Sequence, residues 1–305
     1  MSIQVRSYKR SEDFELIGNF LVETYQPGKK FDNWLQPCWE YMHFHPCLNE
    51  AELDKIGVWE DSGNIVGVAH YESRLGEVFF QTHPDYTHLK SDMLAYAANH
   101  LYATLEGGRR YIKISINDFD AEFESIARSQ GYTKDANAPA FYSQFTITRP
   151  FPTINLPPGF RLKSLDDDND LQKVHRVLHR GFNHSGEPPE QGIEGRKKMQ
   201  SAPNFRKDLT FVVQAPDGNF VSFCGMWYDA VNKIAYVEPV ATDPDYRFMG
   251  LGKAAVLQGV RRCGELGATV AYVGSGQTFY EAIGFKKIFA CYPWIKYFDI
   301  QGAKS

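Results

Sequence analysis

No stretch of this sequence stays apolar long enough to span a bilayer, and the opening residues MSIQVRSYKR lack the hydrophobic core of a secretory leader. A membrane partner and an exported product are therefore not expected. No two of the five cysteines (Cys38, Cys47, Cys224, Cys263, Cys291) have C-x-x-C spacing, and the odd count leaves one without a mate. That argues against a disulfide scaffold and for a reducing, cytoplasmic compartment. Basic residues are not in excess: 33 Lys and Arg against 37 Asp and Glu give a net charge of -4 and a pI near 6.1. Nucleic acid is not an expected partner. In CWEYMHFHPC, Cys38 and Cys47 flank His43 and His45, but the spacing fits no structural-zinc pattern. The segment reads instead as an aromatic-rich helix end stopped by Pro46, and no metal site is expected. What is present, 43% hydrophobic and 23% charged residues, suits a soluble globular protein with room for one large or two ordinary domains.

The most informative stretch runs from Tyr236 to Phe285. A strand-like run, Ile234 to Thr242, meets a turn at Asp243-Pro244-Asp245, then Arg247-Phe248-Met249-Gly250-Leu251-Gly252 and a helix-like segment to about Leu266. A second strand at Thr269–Val273 precedes Phe279-Tyr280-Glu281-Ala282-Ile283-Gly284-Phe285. Glycines at 250 and 252 let backbone N–H groups converge at the mouth of a helix. Unpaired donors and the positive end of the helix dipole suit a diphosphate. Gly250-Leu251-Gly252-Lys253-Ala254-Ala255 also fits the dinucleotide fingerprint G-x-G-x-x-A. That reading needs a tight turn straight off a first strand and an acid closing the next one. Here seven residues separate Thr242 from Gly250, and the next strand ends in Gly274-Ser275-Gly276.

The order of these parts resembles the GNAT superfamily of acyl-CoA-dependent N-acyltransferases. Arg247-x-x-Gly250-x-Gly252 matches the family's R/Q-x-x-G-x-G/A loop, and Tyr280 with Gly284-Phe285 matches its later cofactor motif. The resemblance implies that acetyl-CoA binds through Val240, Ala241, Thr242, Arg247, Phe248, Met249, Gly250, Leu251, Gly252, Lys253 and Ser275. It also implies that Tyr280 is the general acid. Gln277 stands where many members have Ala and Gly274 where many have Asn; without that Asn the resemblance does not carry over one side-chain contact to the pantetheine, while the backbone contacts remain possible.

The chain reads as a duplication. Val5-Arg6-Ser7-Tyr8 with Glu12-Asp13 parallels Phe160-Arg161-Leu162-Lys163 with Asp166-Asp167-Asp168, and Tyr41-Met42-x-x-x-Pro46 parallels Lys198-Met199-x-x-x-Pro203. Hairpin signals follow at 58–66 and 213–221, then His83-Pro84-Asp85-Tyr86 against Asp243-Pro244-Asp245-Tyr246, then Gln130-Gly131-Tyr132 against Ile283-Gly284-Phe285. The collinear order predicts two α/β domains, each a twisted mixed sheet flanked by helices: 1–148, a proline-rich linker at 149–159, and 160–305. After Tyr86 the first copy reads THLKSDML, without arginine or glycine, and Ala127 stands where the second has Tyr280. The first copy is therefore expected to hold no cofactor, and the second to be catalytic.

Glu238 shares strand parity with Val240 and Thr242, so it is a candidate base or amine anchor unless Pro239 bulges the strand. The polar loop Gly181–Pro189 offers His184 and Glu187 as substrate contacts. The expected reaction is transfer of an acetyl group to a primary amine of a small molecule by direct attack, in a monomer or homodimer. The alternative is a non-catalytic acyl-CoA sensor or interaction module.

Overall fold

Turn chemistry fixes the strand order locally. Ser62 and Gly63 both take left-handed backbone angles (φ 54° and 83°), closing a tight hairpin between β2 (Gly57–Asp61) and β3 (Asn64–Tyr71). β1 (Gln4–Ser7), α1 (Arg10–Thr24) and α2 (Gln36–Phe44) precede it. β4 (Glu77–Thr82), α3 (Lys90–His100), β5 (Ala103–Thr104), β6 (Arg110–Asn117), α4 (Ala121–Ser129), β7 (Thr133–Lys134) and β8 (Ala140–Thr146) follow. The second half repeats the plan with β9 (Arg161–Ser164), α5 (Leu171–Gly181), α6 (Gly192–Gln200), β10 (Phe211–Gln214), β11 (Phe220–Asp229), β12 (Ile234–Thr242), α7 (Leu251–Glu265), β13 (Val270–Val273), α8 (Thr278–Ala282) and β14 (Lys286–Phe298). Apart from the short β5 and β7, both halves read β-α-α-β-β-β-α-β-α-β. This computed structural model describes residues 3–298. The sequence predicts a last strand-like run at 294–299, whose final residue Asp299 lies outside them.

The chain forms two compact units, one from 3–43, 47–141 and 288–298, the other from 44–46 and 142–287. In the first, β1, β2, β3 and β4 run antiparallel, β4 pairs parallel with β6, and Cys291–Phe298 of β14 closes the sheet against β6. In the second, β9, β10, β11 and β12 run antiparallel, β12 pairs parallel with β13, and Ser143–Thr146 of β8 lies against β13. Each unit thus takes its closing strand from the other half of the sequence. Residues 149–159 belong to the second unit, where Phe151, Ile154 and Leu156 pack on the core.

Strand alternation gives the second sheet two apolar faces. Val213, Val221, Ala235 and Val237 meet α7, while Val212, Phe220, Phe223 and Ala241 meet α5. Gly259 sits inside α7 because a Cβ there would come within 2.5 Å of Met226; the glycine lets helix and sheet approach. In the first unit His43 is buried, accepting from the Tyr8 hydroxyl and donating to the Trp39 carbonyl, so its ring nitrogens are spent on packing.

Candidate active site

β12 makes the opening. Its parallel pairing with β13 covers only Ile234, Ala235 and Tyr236, while its pairing with β11 continues to Thr242. Past Tyr236 the two strands diverge, and Val240, Ala241 and Thr242 line the gap. A bulge lies at the divergence: Glu238 and Pro239 stand opposite the single Gly225, between the pairs Val237–Met226 and Val240–Cys224. A Cβ on Gly225 would lie 2.4 Å from the Glu238 carbonyl oxygen, which is why glycine occupies the position. The bulge reverses the side-chain alternation. Ala235 and Val237 face α7 before it, and Val240 faces that side after it. Strand parity therefore does not carry through from Tyr236 to Thr242.

The loop after β12 is held by charge. Asp243, fully buried, accepts from the Asp245 N–H and takes a two-pronged contact from Arg180, Nε at 2.6 Å and Nη2 at 2.9 Å. Burial pushes the Asp243 carboxyl up, but Arg180 and the backbone N–H outweigh it and hold the group below the usual carboxylate range. Arg247 follows. Its guanidinium donates to the Thr242 carbonyl (3.2 Å), the Gly181 carbonyl (2.9 Å) and Asn183 Oδ1 (2.7 Å). Its side chain thus fastens the end of α5 to the loop.

Phe248 and Gly250 are both left-handed (φ 64° and 80°), which turns the chain sharply into α7. Phe248 is fully exposed on that turn. α7 begins without a side-chain cap and without an acidic residue in its first turn, and it carries Lys253 there instead. Each feature opposes what stabilises a free helix start. The first intrahelical bond is Ala254 N–H to the Gly250 carbonyl, so the N–H groups of Leu251, Gly252 and Lys253 find no acceptor among the described residues. The end is built for an anion. A Cβ on Gly250 would meet nothing within 4 Å; one on Gly252 would sit 3.0 Å from Thr242 Oγ1 and 3.4 Å from the Phe279 ring.

These elements enclose a cavity of about 770 Å³. The diverging strand and the helix mouth form one side, and Phe279, Tyr280, Ala282 and Ile283 form another. Tyr280, 7% exposed, leans edge-on against Phe279 and Phe285, and its hydroxyl has no hydrogen-bond partner among the described residues. Burial, then the Cys224 thiol and the Glu238 carboxylate, hold its proton well above the ordinary phenol range. Glu238 is half-buried and, despite the bulge, close enough to Tyr280 to act on its charge.

Of the residues expected from the sequence, Val240, Ala241, Thr242, Arg247, Phe248, Gly250, Leu251, Gly252, Lys253 and Tyr280 line this cavity. Met249 lines a neighbouring depression instead. Ser275 lies outside the lining; its carbonyl accepts from Ser143 and its hydroxyl from the Gln277 N–H. His184 and Glu187 are exposed and outside it too, His184 stacking near His179 at 5.2 Å. Gly181, Phe182 and Asn183 are the part of that loop which reaches the cavity. The sequence reading missed them, along with Phe279 and the Arg180–Asp243 pair.

Residues 172–285 match the acetyltransferase (GNAT) family. They form a GNAT acetyltransferase domain. A mycothiol acetyltransferase of Thermobispora bispora is 30% identical over 157 residues, 46% of this chain and 51% of that one, so the chain spans about half the length of this curated relative. A GCN5-related N-acetyltransferase from Sphaerobacter thermophilus superposes with a TM-score of 0.66 at 13% identity, covering 97% of this chain and 95% of that one. A tandem GNAT protein from the clavulanic acid biosynthesis pathway gives 0.65 at 12% identity, covering 97% and 98%. At those identities the likeness establishes the fold: two tandem GNAT-like copies. Every residue that lines the 770 Å³ cavity, from Gly181 to Ile283, falls within the matched segment 172–285.

Proposed function

We propose that this chain is an acyl-CoA-dependent N-acetyltransferase, that residues 160–305 carry the activity, and that the acceptor is a primary amine of a small molecule. The observation that carries the reading is the unpartnered hydroxyl of the largely buried Tyr280, in the same cavity as the uncapped mouth of α7. One end of that cavity suits a diphosphate, and the other presents a phenol that keeps its proton.

Acetyl-CoA supplies the activated thioester. The N–H groups of Leu251, Gly252 and Lys253 bind its diphosphate, and the unpaired edge of β12 at Val240–Thr242 orients the arm. Tyr280 holds a proton at its hydroxyl for the departing sulfur. Glu238 is the nearby carboxylate suited to take the ammonium proton or to anchor the amine. His184 and Glu187 sit on the exposed loop over which an acceptor would enter.

The first unit supports a division of labour. Its turn Pro84–Leu89 passes directly into α3 without a left-handed glycine. Lys90 at that helix start is buried and paired with Asp120 and with Asp32, the latter at 3.4 Å. Asp32 lines the neighbouring cavity of about 200 Å³. A carboxylate and an internally neutralised lysine disfavour a diphosphate, and we infer that this copy holds no acyl-CoA.

The test is release of free thiol from acetyl-CoA across a panel of small amines. At least one amine should accelerate release, and Tyr280→Phe should lower turnover about 10²-fold while cofactor affinity stays within a factor of two. Tight cofactor binding with no amine-dependent release would replace the enzyme by an acyl-CoA sensor.

A further inference from the structure

The first unit repeats the parting of strands that opens the second. β4 pairs with β6 only at Glu77 and Val78, while its pairing with β3 continues to Thr82. Here the free edge is already filled. Asn33 Nδ2 donates to the Thr82 carbonyl (3.0 Å) and Asn33 Oδ1 accepts from the Thr82 N–H (2.7 Å), so a carboxamide of the chain itself occupies this strand edge. Asn33 is pinned in turn to Thr24, Nδ2 to Oγ1 at 3.0 Å. What remains is a cavity of about 200 Å³ between the end of α1 and the start of α3. A dry cavity of about 150 Å³ holds benzene, so this volume has room for roughly eight non-hydrogen atoms.

Its walls are apolar and aromatic, and its charge is negative. Leu21, Tyr25 and Phe31 are buried, the two rings 6.0 Å apart and inclined at 50°, and Trp34 completes the lining on that side. Two ammonium groups reach the cavity, and both are answered. Lys90 is held by Asp120 and lies 3.4 Å from Asp32. Lys30 turns to Asp118 at 3.7 Å and lies over the Phe119 ring. Three carboxylates thus meet two ammonium groups, which leaves one negative charge unmatched. Asp32 carries it. Its contacts, to Lys90 at 3.4 Å and to Asn117 Nδ2 at 3.3 Å, are both long, and its side chain is 41% exposed where it lines the cavity. A carboxylate with acceptor capacity unspent, beside aromatic rings, attracts a cation and repels an anion.

We propose that this cavity binds a small organic ammonium ion, with Asp32 pairing its charge and Tyr25, Phe31 and Trp34 packing against its alkyl groups. A metal ion fits less well. The walls offer rings where a metal needs oxygens, and among the described residues no three His, Cys, Asp or Glu side chains gather to hold one. The proposal is independent of the acyl-CoA reading, since the two cavities share no residue. It gives the first copy a ligand of its own in place of the donor it has lost.

Calorimetric titration of the full chain with tetramethylammonium chloride tests this, beside potassium chloride, potassium acetate and tert-butanol, a neutral molecule of similar size. Tetramethylammonium has no N–H to acetylate, so its binding is read apart from any turnover. It should bind saturably and about tenfold tighter than tert-butanol, the gain expected of a partly desolvated cation among rings and a carboxylate. Asp32→Asn should weaken it about tenfold and Tyr25→Leu several-fold. Lys30→Ala should tighten it, because a cation leaves the rim; an anionic ligand would respond with the opposite sign. Glu238→Gln should leave it unchanged, which separates this site from the cavity of the second unit. Asp32 and Lys30 are exposed and Lys90 keeps Asp120, so both rim variants should melt in urea close to wild type. Equal binding of tert-butanol, tighter binding of acetate, undiminished binding in Asp32→Asn, or no saturation by about 0.1 M tetramethylammonium would each refute the site.

Discussion

Arg247 reaches back from the loop to Asn183, its Nη2 2.7 Å from the amide oxygen and 2.9 Å from the Gly181 carbonyl. Asn183 itself adopts a left-handed backbone (φ 60°), a conformation asparagine tolerates. A guanidinium spent this way positions the loop, whereas the family motif assigns it to the diphosphate. Arg247→Ala should therefore raise the cofactor Kd about tenfold through a looser loop, ~1.4 kcal/mol. The dependence of that Kd on potassium chloride should match wild type, since no ion pair to the ligand is lost. Asn183→Gly keeps the backbone conformation, removes one acceptor and should cost less. A flattened salt dependence in Arg247→Ala would return the arginine to the phosphates.

Gly250 is required by its backbone as well as by its lack of a side chain. At φ 80° a branched residue is strained by ~1–2 kcal/mol, although the surrounding space is open. Gly250→Val should lower the melting temperature modestly and reduce cofactor affinity beyond detection by calorimetry, because its side chain would project into the proposed diphosphate site. Gly252→Val meets Thr242 and Phe279 and should lose affinity as well. Retained affinity in Gly250→Val would remove the loop from the donor site.

Burial keeps the Tyr280 phenol protonated well past its ordinary range. The phenol therefore adds no alkaline limb to the turnover profile below about pH 10. The ratio of wild-type to Tyr280→Phe turnover, about 10² at pH 7, should be the same at pH 9. A ratio that shrinks toward pH 9 would mean that Tyr280 loses its proton there, against the environment seen around it.

The parts legible in the sequence were those whose cause is local. Gly250, Gly252 and Tyr280 announce themselves by spacing, and the hairpins at Ser62-Gly63 and Asp217-Gly218 by turn chemistry. Asp243 and His83 head matching turns in the two copies, each accepting from the N–H two residues on. What the sequence hid depends on distant partners. Nothing near Arg247 says that its acceptors lie at Gly181 and Asn183, and nothing near Gly259 says that Met226 presses against it. Pro239 did warn of a bulge, which reverses the alternation on which Glu238 was placed. The exchange of closing strands was illegible for a further reason. β8 and the end of β14 are both β-favouring runs, and neither names the sheet it will join. β14 even contains Pro293, opposite Ser115.

His70, buried in the first unit, should make that unit acid-sensitive. Its Nδ1 donates to the Tyr71 carbonyl, and its Nε2 accepts from the Gln81 amide, whose oxygen is taken by the Trp34 N–H. Both ring nitrogens are thus committed to the neutral form. Burial pushes its pKa down to about 4, against an ordinary value of 6.5. With the folded value depressed, the unfolded chain binds the extra proton first. The contribution is complete above pH 6.5 and is lost as the pH falls from there toward 4, to a total of roughly 3 kcal/mol. Urea melts at pH 7, 6, 5 and 4, followed by the fluorescence of Trp34 and Trp39, whose rings lie 4.6 and 5.3 Å from His70, would measure it. His70→Leu should start less stable at pH 7, because Gln81 loses its acceptor, yet decline less steeply between pH 6.5 and 4. Parallel declines in the two proteins would place the acid sensitivity in other groups.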